Sequence, residues 1–380
     1  MSTSFAINPT FCFTLLGSFA IYLWTRPPRA FWLAALALAF GLRVACIRLM
    51  GGLGAYYGVR WISWGAFLGI ASIIVLAVQV VLAPRSERVS LRRTFFAASV
   101  FPLCALLIGY FIPLTIWLRP KTYDAFLLAF DGGLGFQPSF VLGRLLVHHA
   151  TLWGATTIVY YALPVEVAIL YAAYRALPRQ PVALLALMLC LMVVGDAQYG
   201  IFPAVGPAYA FRESYPLRPP PLAQIAAEPI TVPEAPRNCM PSLHLAGALL
   251  AWWNSRIWPR WGRVLTFLFL LATAFATLAL GEHYLADLVV AFPFSLILQA
   301  AWTQNVKFTQ TARQSAFWWG WAVTAVWLVL LRYFLGIFLI SPLVPWGAIL
   351  ATVGGSLWLE GKLSAAIAWG LIHNKIARHT

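Results

Sequence analysis

Long apolar runs alternate along the chain with short connections that hold most of its charged residues. Apolar stretches of about 20 residues have the length that an α-helix needs to cross a bilayer. The pattern therefore predicts an all-α fold, a polytopic membrane helical bundle of about eleven transmembrane helices. The predicted spans are residues 8–25, 30–50, 62–83, 95–118, 151–176, 181–203, 241–258, 262–281, 284–304, 315–340 and 344–371. Glycines in the last span leave open its division into two shorter helices.

Two long connections interrupt this pattern. Residues 119–150 have apolar positions at helical spacing, cut by Asp124 and Asp131, and predict an amphipathic helix that lies in the membrane interface. Residues 204–240 are rich in proline and predict an extended segment, because proline at this density fits neither a helix nor a central strand. We therefore expect three parts: N-terminal transmembrane helices (1–118), a catalytic core with both connections (119–305) and C-terminal transmembrane helices (306–380).

Composition supports a membrane protein and narrows its chemistry. With 62% hydrophobic and 10% charged residues, the 380-residue chain has more apolar surface than a soluble domain of this length can bury. The net charge is +15, but no basic soluble arm or aromatic-basic module is present, so no nucleic-acid partner is expected. The five cysteines show no paired spacing, and neither a disulfide framework nor a metal or other cofactor is expected.

The distribution of cations predicts an orientation. More Lys and Arg residues fall in the connections on the side of the "TRPPR" turn, and cytoplasmic loops carry such an excess. The first cation, Arg26, follows the first apolar run, which favours a retained first helix over a cleaved signal peptide. We therefore expect the N-terminus outside, the C-terminus in the cytoplasm, and both long connections at the outer (periplasmic or lumenal) face.

The stretch "GEHYLADLVVAFPF" places a histidine and a carboxylate on one helix face. His283 and Asp287 are four residues apart, and the carboxylate can accept the Nδ1 proton of the imidazole. The Nε2 lone pair would then point outward as a nucleophile or base. The alternative is a structural polar pair that joins neighbouring helices.

The stretch "NCMPSLH" places a second histidine at a helix start. Pro241 suits a first helical turn, and Ser242 can cap the helix or offer its hydroxyl to a substrate. The unpaired amides of this turn can hold an anion, and His244 lies just inside it. The alternative is a plain helix start whose histidine bonds a loop carbonyl.

The predicted topology brings these two stretches together. His244 opens one span at its outer end, and the next span returns outward to His283. Both imidazoles therefore lie at one depth on one face, as a nucleophile and a general acid on either side of one phosphorus atom would.

The motifs resemble a known family. "PSLH", followed about forty residues later by "HYLAD", is similar to the P-S-G-H and S-R-x5-H-x3-D blocks of the type 2 phosphatidic acid phosphatase superfamily. Within it, the chain looks like the inositol phosphorylceramide synthase branch, which has PSLH and an H-Y-x-x-D block. "GIFPAVGPAYAF" and "YDAFLLAFDGGLGFQP" resemble two further blocks of that branch. The resemblance covers about residues 120–300.

The resemblance implies roles for the three residues. His283 would be the nucleophile that forms a phosphohistidine, Asp287 would orient it, and His244 would protonate the leaving oxygen and then deprotonate the acceptor hydroxyl. No metal ion is implied. The chain departs from the superfamily at two cations: the lysine seven residues before Arg119 is missing, and Thr277 replaces the arginine six residues before His283. Fewer cations suit a phosphodiester, which carries less charge than a monoester.

Four more residues are candidates for substrate binding, and two of them, Arg237 and Asp196, have a structural alternative. Arg237 is the cation nearest in sequence that could reach a phosphate, or it is a solvated loop charge. Asp196 could bond the hydroxyls of a polyol headgroup, or it joins two helices. Tyr209 could line a headgroup pocket, and Thr277 takes the place of a phosphate-binding arginine.

Three functions remain open. The first is a phosphotransferase that moves a phospho-headgroup between membrane phospholipid or sphingolipid substrates. The second is a lipid phosphate phosphatase, acting on phosphatidic acid or a polyprenyl phosphate, with water as acceptor. The third is a non-enzymatic lipid transporter, which is disfavoured because the sequence shows neither inverted repeats nor paired broken helices.

Overall fold

The computed structural model describes residues 9–49, 62–221 and 227–376. Fourteen α-helices and one two-stranded sheet occur in these ranges. The helices are α1 (Pro9–Trp24), α2 (Arg29–Leu49), α3 (Ile62–Leu82), α4 (Arg85–Leu118), α5 (Asp124–Gly133), α6 (Pro138–Val147), α7 (Ala150–Arg175), α8 (Leu184–Tyr199), α9 (Pro207–Ala210), α10 (Leu243–Asn254), α11 (Arg260–Ala279), α12 (Leu285–Trp302), α13 (Thr311–Tyr333) and α14 (Leu343–Ile376). The strands are β1 (Lys121–Thr122) and β2 (Ile230–Thr231), which pair antiparallel.

The helical class is confirmed, but fewer helices are long enough to cross a bilayer than predicted. Each predicted span corresponds to a helix, and among the described residues eight helices have the length and hydropathy of a membrane span. The count is nine if α5 and α6, bent by 94°, form one broken span. Three helices, α1, α8 and α10, have only 16, 16 and 12 residues, fewer than the about 20 residues of a typical membrane-spanning helix.

The last predicted span is one continuous helix. Its glycines do not divide α14, because their backbones stay helical. A Cβ on Gly355 would overlap the ring of Trp319. This glycine therefore allows α13 and α14 to approach closely rather than ending a helix.

The chain forms two compact units. The first consists of residues 1–110 and 161–178, and the second of residues 111–160 and 179–380. In the first unit, α1 packs against α3, where a Cβ on Gly69 would overlap the backbone of Leu15. This division differs from the three consecutive parts that we expected, since the C-terminal helices belong to the same unit as the core.

The core of the second unit explains that difference. Phe130 of α5 contacts Trp327 of α13 and Phe338, with ring centroids 5.3 and 4.9 Å away. Val289 and Val290 of α12 belong to the same buried cluster. Aromatic packing thus joins the predicted core and the C-terminal helices into one body.

The predicted interfacial helix is wrong in position. Residues 119–150 form two helices, and all of α5 except its last residue is buried. Asp124 and Asp131 are fully buried as well, so they do not mark a solvent-facing side. The proline-rich connection holds only the short α9 and β2 within its described part.

Candidate active site

Two imidazoles meet at one end of a helical hairpin. α10 and α11 run in opposite directions, and His244 lies in the first turn of α10 while His283 follows the end of α11. The ring centroids are 6.4 Å apart, and the rings are inclined by 61°. His283 is buried, and His244 is partly exposed. The hairpin therefore brings two nitrogen-bearing rings close together at one end.

Asp287 lies behind His283, slightly beyond hydrogen-bond distance. The His283 Nδ1 to Asp287 Oδ2 distance is 3.6 Å. His283 Nδ1 and Asp287 Oδ1 are both buried, and neither has a hydrogen-bond partner among the described residues. Burial lowers the pKa of His283 to about 3, which keeps the imidazole neutral. A neutral ring that donates from Nδ1 has its lone pair on Nε2.

Two hydrogen-bond donors hold the Oδ2 atom of Asp287 in place. Asp287 Oδ2 accepts from the backbone N–H of Tyr284 and from the Cys239 thiol, each at 2.7 Å. These bonds fix the orientation of the carboxyl group. Burial raises the pKa of the Cys239 thiol, so the sulfur keeps its proton and acts as the donor.

The turn that carries His283 is anchored on both sides. The N–H groups of Glu282 and His283 both donate to the carbonyl of Thr277 at 3.1 Å. The Ser139 hydroxyl donates to the carbonyl of His283 at 2.7 Å. Gly281 has φ +72, a conformation that favours glycine, and a Cβ there would overlap Tyr215.

Two buried aspartates of α5 hold the backbone around this turn. Asp131 accepts from the N–H groups of Leu285 and Ala286, at 2.9 and 3.4 Å, and so caps the start of α12. Asp124 accepts from the N–H groups of Val205 and Gly206 and from the Tyr284 hydroxyl. The two aspartates thus bind distant elements, whereas the sequence pattern predicted them within an amphipathic helix at the membrane interface.

Ser242 takes the first of its two predicted roles. Its hydroxyl accepts from the N–H of Leu245 at 3.3 Å and caps α10. Its own N–H donates to the carbonyl of Asp287 at 3.2 Å. Ser242 is fully buried, so it links the two histidine-bearing stretches through backbone and cap bonds.

A carboxyl group and two tyrosines lie beside the imidazoles. The Tyr209 hydroxyl donates to Glu282 Oε1 at 3.2 Å, and Tyr160 also hydrogen-bonds to Glu282. The Tyr160 ring stacks on His244, with centroids 3.9 Å apart and planes inclined by 22°. Burial raises the pKa of Glu282 to about 7. We call Glu282, Tyr160 and Tyr209 the Glu–Tyr cluster.

Three other predicted substrate-binding residues have different surroundings. The guanidinium of Arg237 is buried and donates to the carbonyls of Arg119, Pro120, Val232 and Ala235, so its donors fasten loops instead of facing a phosphate. The hydroxyl of Thr277 donates to the carbonyl of Ala274, within its own helix. Asp196 is mostly buried in α8.

One group of side chains has the donor set of a metal site. Ligand atoms of Cys239, His283 and Asp287 all lie within 4.8 Å of one another. A thiol, an imidazole and a carboxylate fit a borderline-soft ion such as Zn²⁺. Sequence spacing did not reveal this group, because Cys239 is far from the other two residues along the chain. The expectation that no metal is required stays a prediction.

Sequence reasoning missed two residues of the site. Cys239 lies in the quoted "NCMPSLH" stretch, where its position next to the motif was the available signal. Tyr160 lies inside an apolar helix that is rich in aromatic residues, and nothing in the local pattern distinguishes it.

These features define an integral membrane helical protein with a histidine–carboxylate site. Residues 125–301, a little under half of the chain, match a family model described as the PAP2 superfamily. The match contains both histidines, Asp287 and the Glu–Tyr cluster, and it supports the superfamily that the motifs indicated. It also supports a lipid phosphatase or phosphotransferase type of function in general. No curated protein and no solved structure matches the chain.

Proposed function

We propose that this protein is an integral-membrane phosphotransferase that moves a phospho-headgroup between lipids through a phosphohistidine intermediate. The observation that carries the proposal is the pair of imidazoles, 6.4 Å apart, one of which is buried against a carboxyl group. This arrangement supplies a nucleophile and a proton donor on the two sides of one reacting phosphorus atom.

In the first half-reaction, the Nε2 lone pair of His283 attacks phosphorus, and the bond from phosphorus to the leaving oxygen breaks. Protonated His244 gives its proton to that oxygen, which leaves as an alcohol. Asp287 accepts a hydrogen bond from Nδ1–H and stabilises the positive charge that develops on the His283 ring.

In the second half-reaction, His244 takes the proton of an acceptor hydroxyl. The acceptor oxygen attacks phosphorus, and the phosphorus–nitrogen bond of the phosphohistidine breaks. His283 is thereby restored, and His244 is protonated again for the next cycle. Stacking on Tyr160 keeps the His244 ring in one orientation through both steps.

The charge of the site favours a phosphodiester as substrate. Within the described part of the chain, Glu282, His283 and Asp287 form no hydrogen bond or ion pair with a lysine or arginine. Their partners are tyrosine, serine, cysteine, histidine and backbone groups. Arg237 is bound to carbonyls instead. A diester monoanion needs less cationic stabilisation than a monoester dianion, and this favours headgroup transfer over phosphatase action.

Reconstituted protein offered phosphatidylinositol with a labelled headgroup, ceramide and simple phosphate monoesters tests the proposal. Mass spectrometry should show the label on a new lipid. His244→Ala and His283→Ala should abolish transfer, while His149→Ala, which alters an exposed histidine, should not. Inorganic phosphate from monoesters, without a headgroup product, would instead establish a phosphatase. No turnover of any lipid would favour a transporter.

We also propose that the N-terminus lies outside, that the C-terminus is cytoplasmic and that the site opens at the outer (periplasmic or lumenal) face. The excess of cations in the connections assigned to the inner side supports this orientation. Labelling of single cysteines introduced near each terminus, with an impermeant reagent on sealed cells, tests it. Protection of the N-terminal cysteine and labelling of the C-terminal one would overturn it.

A further inference from the structure

The Glu–Tyr cluster places an unusual group beside a reaction that handles phosphate. Glu282 directly precedes the proposed nucleophile, and its side chain is bonded to two tyrosines, without a lysine or arginine partner among the residues that the structure describes. A carboxylate at this position repels an anion. Its ligand is therefore expected to be a neutral part of the substrate.

The cluster is joined to both catalytic histidines. Glu282 and His283 are neighbours in one anchored turn, and both donate their N–H to the carbonyl of Thr277. Tyr160 bonds to Glu282 and at the same time stacks on His244. A group bound to the cluster thus lies beside the space between the two imidazoles.

The oxygen atoms of the Glu–Tyr cluster favour a ligand that donates hydrogen bonds. The ionised form of Glu282 only accepts hydrogen bonds, and a phenolic oxygen that donates its proton still carries lone pairs. Glu282 and Tyr209 are partly exposed, so a ligand can reach them. Aliphatic hydroxyl groups match such acceptors and carry no charge that the carboxylate would repel.

We propose that Glu282, with Tyr160 and Tyr209, binds a hydroxyl group of the substrate next to the reacting phosphorus. The proposal rests on the proposed function and deepens it. Two sources share this chemistry. The hydroxyl belongs either to the polyol headgroup of the donor lipid or to the acceptor alcohol, and in the latter case the cluster presents it to His244.

A set of donor lipids that differ only in their headgroups tests this proposal. Full-length protein is assayed with phosphatidylmethanol, which has no headgroup hydroxyl, and with phosphatidylglycerol and phosphatidylinositol, with ceramide as acceptor. Donor consumption is measured, so that transfer and hydrolysis are both counted. The variants are Glu282→Ala, Glu282→Gln and Tyr209→Phe, and Glu213→Gln is the control, because Glu213 is exposed.

A donor subsite predicts that Glu282→Ala raises KM about tenfold or more for the two hydroxyl-bearing donors and leaves KM for phosphatidylmethanol unchanged. An acceptor subsite predicts the same rise in KM for ceramide with every donor. Tyr209→Phe should shift the same constant in the same direction, by less.

Equal loss of kcat for all donors with no change in any KM would overturn the inference, since a merely structural role has that effect. Unchanged kinetics in Glu282→Ala would overturn it as well. Wild-type protein that consumes donors but transfers nothing to ceramide would refute the transferase, while the comparison of donors would still decide the inference. Wild-type protein that consumes none of the donors would refute both.

Discussion

Replacement of Asp131 by alanine should disturb the active site from a position outside it. The carboxyl group binds the N–H groups of Leu285 and Ala286, the first residues of α12, and is fully buried. Alanine leaves both amides in the protein interior without an acceptor. An unpaired buried donor costs about 1–3 kcal/mol, so the two together should lower the free energy of unfolding by about 2–6 kcal/mol.

The same change should lower activity. Leu285 follows His283 by two residues, so movement of the helix start also moves His283, the proposed nucleophile. A misplacement of about 1 Å at a reacting group can cost on the order of 100-fold in rate. Asp131→Asn keeps one acceptor oxygen and the side-chain size, and should lie between alanine and wild type in both stability and kcat.

Thermal unfolding in detergent, followed by tryptophan fluorescence, measures the first effect, and initial rates well below the transition measure the second. A loss of about 1 kcal/mol lowers Tm by roughly 2–4 °C in a chain of 150–250 residues, so the alanine variant should melt clearly earlier. Wild-type Tm together with wild-type kcat in Asp131→Ala would refute the assignment of this carboxyl group as an anchor of the turn.

Three further changes test other parts of the site. Cys239→Ser keeps a donor to Asp287 and should retain most activity, whereas Cys239→Ala should lower kcat several-fold; equal rates in the two variants would contradict this role of the thiol. Arg237→Ala should lower Tm, because four carbonyl groups lose their hydrogen-bond donor. The same change should leave the KM for the donor lipid unchanged. A raised KM with normal stability would instead indicate that Arg237 binds the phosphate. The pKa of Glu282 rises from 4.5 to about 7 on folding, so its contribution to stability is complete below about pH 4.5 and is lost as the pH rises to 7. By linkage, the free energy of unfolding falls by about 3 kcal/mol over this pH range. The Glu282→Gln variant should lack this pH dependence. Identical profiles of unfolding free energy against pH in the variant and the wild type would refute the raised pKa of Glu282.

Much of the helical framework could be predicted from the sequence, because apolar periodicity and length determine where helices form in a membrane protein. The hairpin of α10 and α11 likewise follows from the order of the spans. The number of full crossings could not be predicted, because a 12-residue helix such as α10 continues its apolar run into a 3-10 turn at Ser255–Ile257. The hydropathy of the sequence does not show that α10 ends at Asn254.

The position of α5 illustrates a second limit. Its two aspartates suggested a surface, since buried carboxylates are rare without partners. The partners are backbone N–H groups more than 80 residues further along the chain, and no local pattern shows them. The sequence likewise suggested that Arg237 binds a phosphate or faces solvent, whereas its guanidinium binds carbonyl groups of a loop that is distant in sequence. Polar residues that bind backbone groups far away in sequence are the ones that sequence reasoning places wrongly.

The phosphohistidine is the central claim, and trapping it is the most direct test. Wild-type protein incubated briefly with a phospholipid labelled with ³²P, without acceptor, and quenched in alkali should carry label that is stable to base and lost in acid. Peptide mapping should place it on His283, and His244→Ala should slow the loss of the label to an added acceptor alcohol. Label on another residue, or equal label on His283→Ala protein, would contradict the account.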